Sequence, residues 1–122
     1  MEKTVLIVDD SNTNNILLQN ILEDEGINSS IAFSGKEAFD YLKVKKPSLI
    51  LLDIMMPIND GFAVLNKIKS NSETNDIPVI FITAKDENNI KQKAIDEGAI
   101  DLILKPIDVN KVIEIVKQHI FN

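Results

Sequence analysis

The chain contains no cysteine. Disulfides, thiolate nucleophiles and Cys-ligated zinc are therefore excluded. It has no apolar stretch approaching the roughly 18 residues that span a bilayer, and its polar start, Met1-Glu2-Lys3, lacks the apolar core of a signal peptide. It also lacks a basic excess. A formal net charge of −6 argues against direct nucleic-acid binding, which needs a basic stripe for the phosphates. The expectation is a cytoplasmic protein with no membrane and no nucleic-acid partner. No repeat, low-complexity tract or linker interrupts the chain. Its 122 residues suit one domain, 1–122, around one core, and 44% hydrophobic content is too high for disorder.

What the chain does have is four apolar runs, each ending in one or two reactive side chains. Val5-Leu6-Ile7-Val8 runs into Asp9-Asp10, and Leu49-Ile50-Leu51-Leu52 into Asp53. Val79-Ile80-Phe81-Ile82 runs into Thr83, and Leu102-Ile103-Leu104 into Lys105. Continuous β-branched and aliphatic runs mark parallel strands buried on both faces. In open α/β sheets, chemistry gathers outside the carboxyl ends of such strands.

Helical spacing fills the intervals. Ile16, Leu17, Ile21 and Leu22 form a stripe read as core, closed by Gly26, while Asn14, Asn15 and Leu18 are left as an exposed docking face. Ile27 to Phe33 reads as a short strand, and Ser34 with Glu37 as a capping box before Ala38, Phe39 and Leu42. Phe62, Leu65 and Ile68 carry a third helix that ends in the polar connection Ser70 to Asp76. Glu87 to Glu97 reads as a polar helix closed by Gly98, and Asp108 caps a last helix through Val112, Ile113 and Val116. The order βαβαβαβαβα with short connections gives a doubly wound five-stranded parallel sheet with helices on both faces. The common strand order for such a flavodoxin-like sheet is 2-1-3-4-5.

Under that order Asp9, Asp10 and Asp53 share the crevice between the first and third strands, about 4.8 Å apart. Two carboxylates about 4 Å apart repel by roughly 4 kcal/mol at an effective dielectric of 20, so the cluster calls for a cation. Oxygen-only ligands in an open site favour Mg²⁺. Thr83, one strand from Asp53, needs only a short hydroxyl to reach it. Lys105, two strands or about 10 Å away, needs a long stem. The set reads as a carboxylate nucleophile with metal, lysine and threonine arranged to neutralise a phosphoryl group.

Taken together, Val8-Asp9-Asp10, Asp53-Ile54-Met55-Met56-Pro57 followed by Gly61, Thr83-Ala84 and Lys105-Pro106 resemble a response-regulator receiver domain of two-component signalling. The resemblance covers essentially the whole chain, and the four pieces in order are specific where each alone is weak. It implies that Asp53 accepts a phosphoryl group from a phosphohistidine of a histidine kinase or histidine phosphotransfer protein. Asp10, Asp53 and the Met55 carbonyl would hold Mg²⁺, with Asp9 acting mainly through water. Lys105 and Thr83 would grip the phosphoryl group, and Lys105-Pro106 would be a cis peptide. The partner would dock over Asn14, Asn15, Leu18 and the Pro106-Ile107 loop. The chain would change its own covalent state without turning over a metabolite, and an output domain in a longer chain is compatible with it.

Three positions depart from the family pattern. Leu102 stands three residues before Lys105, where an inward-turning Tyr or Phe is usual, so the aromatic readout cannot operate in its usual form. Met55 and Lys85, each two residues after a key side chain, offer no carboxylate or amide to orient an attacking water, which implies slow self-dephosphorylation. Leu102 favours one alternative, a degenerate receiver acting as a phosphorylation-independent interaction module. The complete acid, threonine and lysine set opposes it. An aspartyl-intermediate phosphatase is a second alternative, but the general acid it wants two residues after the nucleophile is here Met55. His119, beside Lys117 and Gln118, reads as exposed or capping rather than as a phosphate carrier.

Overall fold

The four apolar runs have no polar face to give to water, so each must lie inside a covered sheet. The computed structural model describes residues 3–56, 60–84 and 89–121, and shows them doing so. The strands are β1 (Thr4–Val8), β2 (Asn28–Ala32), β3 (Leu49–Asp53), β4 (Val79–Thr83) and β5 (Asp101–Leu104). All neighbours pair in parallel, in the order β2-β1-β3-β4-β5. β3 and β4 are buried at every residue, whereas the polar strand β2, with Ser29 and Ser30 half-buried, takes one edge.

Five helices alternate with the strands: α1 (Asn12–Asp24), α2 (Gly35–Leu42), α3 (Gly61–Ser70), α4 (Ile90–Asp96) and α5 (Val109–Ile120). Successive strand residues point to opposite faces. Val5, Ile7, Leu51, Ile80, Ile82 and Ile103 therefore pack with α1 and α5. Leu6, Val8, Ile50, Leu52 and Phe81 pack with α2, α3 and α4. Phe81 is fully buried, and its ring meets Phe62 at 4.9 Å between centroids. Each such buried side chain stabilises the fold by about 1.5–3 kcal/mol over an exposed one.

The helix ends follow their capping chemistry. Ser34 Oγ accepts from Glu37 N at 3.1 Å, while Glu37 Oε1 accepts from Phe33 N, one residue earlier than an ideal capping box would have it. Asp108 Oδ1 accepts from Lys111 N at 3.1 Å, as its sequence position implies. Gly26 closes α1 at φ +73°, a left-handed conformation that glycine adopts at no steric cost. The connection after α3 is a run of turns rather than loose chain. Thr74 is buried there, its hydroxyl donating to Ile68 O at 2.7 Å, and Lys69 Nζ donates to the carbonyls of Asn75 and Ile77.

The faces and ends of three elements differ from expectation. The buried face of α1 is Asn15, Leu18, Ile21 and Leu22, whereas Ile16 and Leu17 are 45% and 39% exposed. The helix is rotated so that positions 15, 18 and 22 face the sheet, one turn-phase away from the stripe read from hydropathy. Leu18 and Asn15 thus belong to the interior and not to a docking face. The fourth helix runs over Ile90–Asp96, its start marked by Asn89 at φ +69°, and β2 is one residue shorter at each end than expected. Readings that fall on Pro57, Lys85 and Glu87 lie outside the described residues. No helix among the described residues is long and apolar enough to cross a membrane.

Candidate functional site

All five reactive side chains emerge at the carboxyl edge of the sheet. β1 delivers Asp9 and Asp10, β3 ends on Asp53 and β4 on Thr83, while Lys105 immediately follows β5. The register sets their heights. Asp53 pairs with Ile82 and Thr83 with Leu104, and the ladder continues one step further as Lys105 N donates to Thr83 O at 2.8 Å. Asp53 and Thr83 therefore stand one residue apart in height on neighbouring strands.

Asp9, Asp10 and Asp53 each offer a carboxylate oxygen within 4.8 Å of the others. Asp9 and Asp53 are buried, at 2% and 4% exposure, and Asp10 faces solvent. Burial, and then the neighbouring charge of Asp9, raise the Asp53 carboxyl from 3.8 to about 6. The Met55 N–H, donating to Asp53 Oδ1 at 3.2 Å, and the Lys105 ammonium pull the other way without cancelling this. A cluster of oxygen donors with one member held reluctantly as an anion fits a hard divalent cation, which would relieve the repulsion. The donor set contains no nitrogen or sulfur to favour a softer metal.

Lys105 Nζ lies 3.3 Å from Asp9 Oδ2 and 3.7 Å from Asp53 Oδ1. The lysine thus meets Asp53, two strands away, and also Asp9 at the end of β1, one strand beyond. Thr83 is fully buried beside it. The Lys105-Pro106 peptide is cis, as the resemblance implies.

Around this centre the backbone is tightly fitted. Asp9 Oδ1 accepts from Ser11 N at 2.9 Å, and Ser11 in turn caps α1 by accepting from Asn14 N. A Cβ on Gly61 would stand 2.6 Å from both Asp53 O and Ile54 Cα, so only glycine fits where α3 begins against the end of β3. Met55 is 55% exposed and Met56 buried. Leu102 is buried at 9% exposure and pairs with Phe81, so the position of the usual aromatic is filled by an aliphatic side chain in the core.

The sequence reading gave Asn15 to an exposed docking face and missed its place in the interior. It is fully buried and donates through Nδ2 to the carbonyl of Asp9 at 2.7 Å. An amide at a helix position in phase with Leu18 and Leu22 was the available signal, since a buried amide must find a partner. His119 was read as exposed or capping. It is instead half-buried, with Nε2 3.4 Å from Asp101 Oδ2, on the sheet edge away from the acids.

Residues 5–117 match the family model described as "Response regulator receiver domain". The chain is 33% identical over 121 residues to a "probable transcriptional regulator ycf29" of Porphyra purpurea, spanning 99% of this chain and 58% of that protein. It is 40% identical over 108 residues to the "response regulator PleD" of Caulobacter vibrioides, spanning 88% of this chain and 24% of that one. The chain therefore covers little more than half, or about a quarter, of these relatives. Among solved structures, the signal receiver domain of a signal transduction histidine kinase from Syntrophus aciditrophicus superposes with a TM-score of 0.88 at 32% identity, over 98% of this chain and 90% of that one. With its sheet order and carboxyl-edge acids in place, the chain belongs to the response regulator receiver domain family.

Proposed function

We propose that residues 1–122 act as one phosphorylatable switch, in which Asp53 accepts a phosphoryl group from a phosphohistidine on a partner histidine kinase or phosphotransfer protein. The observation that carries this reading is the convergence of Asp9, Asp10, Asp53 and Lys105, from three separate strand ends, within ion-pairing distance. Asp10, Asp53 and the Met55 carbonyl would hold Mg²⁺, with Asp9 acting through water. When bound, the ion would supply charge neutralisation for the transferring oxygens.

The chain's own residues account for the remainder. An ionised Asp53 oxygen attacks phosphorus, the P–N bond breaks, and its electron pair leaves on the imidazole nitrogen. With its carboxyl near 6, Asp53 is mostly ionised at neutral pH. Lys105, already between Asp9 and Asp53, pairs with a phosphoryl oxygen once the group arrives. The Thr83 hydroxyl donates to another. Phosphorylation adds charge and acceptor oxygens at a buried point, which biases the equilibrium between two states of the domain.

The surface of α1 beside the site presents Ile16 and Leu17, and the loop after β5 presents Pro106. These form the docking face for the phosphohistidine partner in place of Asn15 and Leu18. As part of a longer protein, like the two curated relatives, the domain would pass its state to an attached output segment. The reaction would take place in the cytoplasm.

Transfer from a phosphorylated histidine phosphotransfer protein tests the reading. Radiolabel should move to this chain in the presence of Mg²⁺, and not in chelator or in Asp53→Asn. Absence of transfer and of labelling by small phosphodonors would favour a phosphorylation-independent module. Repeated turnover of a phosphomonoester would favour a phosphatase.

A further inference from the structure

Asn15 occupies a position in α1 where hydropathy calls for an aliphatic residue. It is fully buried, in phase with Leu18 and Leu22 against the sheet. Its Nδ2 donates to Asp9 O at 2.7 Å, while its Oδ1 is buried with no hydrogen-bond partner among the described residues. An unsatisfied buried acceptor costs stability, and an apolar side chain of similar size would not incur that cost. The amide sets one stranded acceptor against one satisfied carbonyl, so its net contribution to folding is small. What the amide provides and leucine could not is a donor to the carbonyl of the Asp9–Asp10 peptide.

That peptide is the support from which Asp10 projects. Asp10 is the exposed member of the acid cluster, and hydrogen bonds to its neighbours are what hold its main chain. Ser11 N on Asp9 Oδ1 fixes one side of the turn, and Asn15 Nδ2 on Asp9 O fixes the other. We infer that Asn15 is a positioning residue, which fixes the Asp9–Asp10 peptide so that the Asp10 carboxylate meets Asp53 around a divalent cation. This rests on the proposed function, because it presumes that the acid cluster takes such a cation. Supports of this kind around metal ligands typically govern about 10- to 100-fold in affinity.

The test sets Mg²⁺ affinity against stability in the full chain. Mg²⁺ dissociation constants would come from isothermal titration calorimetry, and stability from urea midpoints in chelator. The variants are Asn15→Leu, Asn15→Ala and, as a control, Thr74→Val, which removes a buried hydroxyl from the far end of the sheet. Asn15→Leu should raise the Mg²⁺ dissociation constant about tenfold or more and leave the urea midpoint close to that of the wild type, since it removes one stranded acceptor and leaves the Asp9 carbonyl without its donor. Asn15→Ala should weaken Mg²⁺ to a similar degree whatever it does to stability, because both lose the same donor. Thr74→Val should lower the midpoint and leave Mg²⁺ affinity unchanged. Asn15 variants that bind Mg²⁺ within about twofold of the wild type would overturn the inference alone. So would an affinity loss that tracks stability across all three variants, since that would make Asn15 merely structural. A wild type that binds no Mg²⁺ would overturn both this inference and the proposed function.

Discussion

Lys105 Nζ stands 3.3 Å from Asp9 Oδ2, although the strands that carry them are separated by β3 and β4. The ammonium ends between two buried carboxylates, those of Asp9 and Asp53. Removing that ammonium by Lys105→Met leaves Asp9 and Asp53 without their shared cation. Metal-free stability at pH 7 should fall by about 2 kcal/mol, discounted from the usual cost of breaking a buried pair because the lysine retains some solvent contact. The deficit should shrink in acid, where the Asp53 carboxyl is protonated. Urea unfolding at pH 7 and pH 3.5 measures both, and labelling by a phosphodonor should be largely lost in the same variant.

The raised Asp53 carboxyl has its own pH signature. Between 3.8, its ordinary value, and about 6, the folded state holds a proton that the unfolded state has released. Stability of the metal-free protein therefore falls as pH rises through that window and stays low above it. Asp53→Asn removes the penalty. The variant should be more stable than the wild type by roughly 2–3 kcal/mol at pH 7.5 in chelator, and no more stable below pH about 3.5. Saturating Mg²⁺ should stabilise the wild type and close much of the gap. Equal stabilities in chelator at every pH would show that burial does not disfavour the Asp53 anion.

Gly61 supports the site sterically. A Cβ there meets main-chain atoms of Asp53 and Ile54, which cannot turn aside as a side chain could. Gly61→Ala should cost about 1–3 kcal/mol and displace the end of β3. Mg²⁺ affinity should fall with it, which calorimetry on the folded variant would show.

The residues flanking Asp53, the proposed phosphoacceptor, carry a kinetic prediction. Met55 is exposed and apolar next to Asp53, where a carboxylate or amide could orient water. Once formed, the acyl phosphate of the wild type should persist for many minutes, and Met55→Gln should shorten its lifetime several-fold. A wild-type lifetime of seconds, followed by loss of the phosphoprotein signal, would contradict this reading.

Four of the five strands and the positions of their acid, threonine and lysine ends were legible because each run is apolar throughout, so its assignment does not depend on choosing a face. Strand order followed from topology, and the convergence of Asp9, Asp10 and Asp53 from strand order. The phase of α1 was not legible. Two stripes share Ile21 and Leu22, and hydropathy favours the one with Ile16 and Leu17 over the one with Asn15 and Leu18. The fold chooses the second, where Asn15 bonds the Asp9 carbonyl, a tertiary contact that hydropathy does not register. The same limitation hid the reach of Lys105, since stem length predicts how far it can extend and not which acid it meets.

Intact mass after incubation with acetyl phosphate bears most directly on Asp53 as the phosphoacceptor. The wild type with Mg²⁺ should gain one phosphoryl group, and lose it on treatment with hydroxylamine, as an acyl phosphate does. Chelator, and separately Asp53→Asn, should abolish the gain. An unmodified wild type, or a phosphoryl group retained in Asp53→Asn, would contradict it.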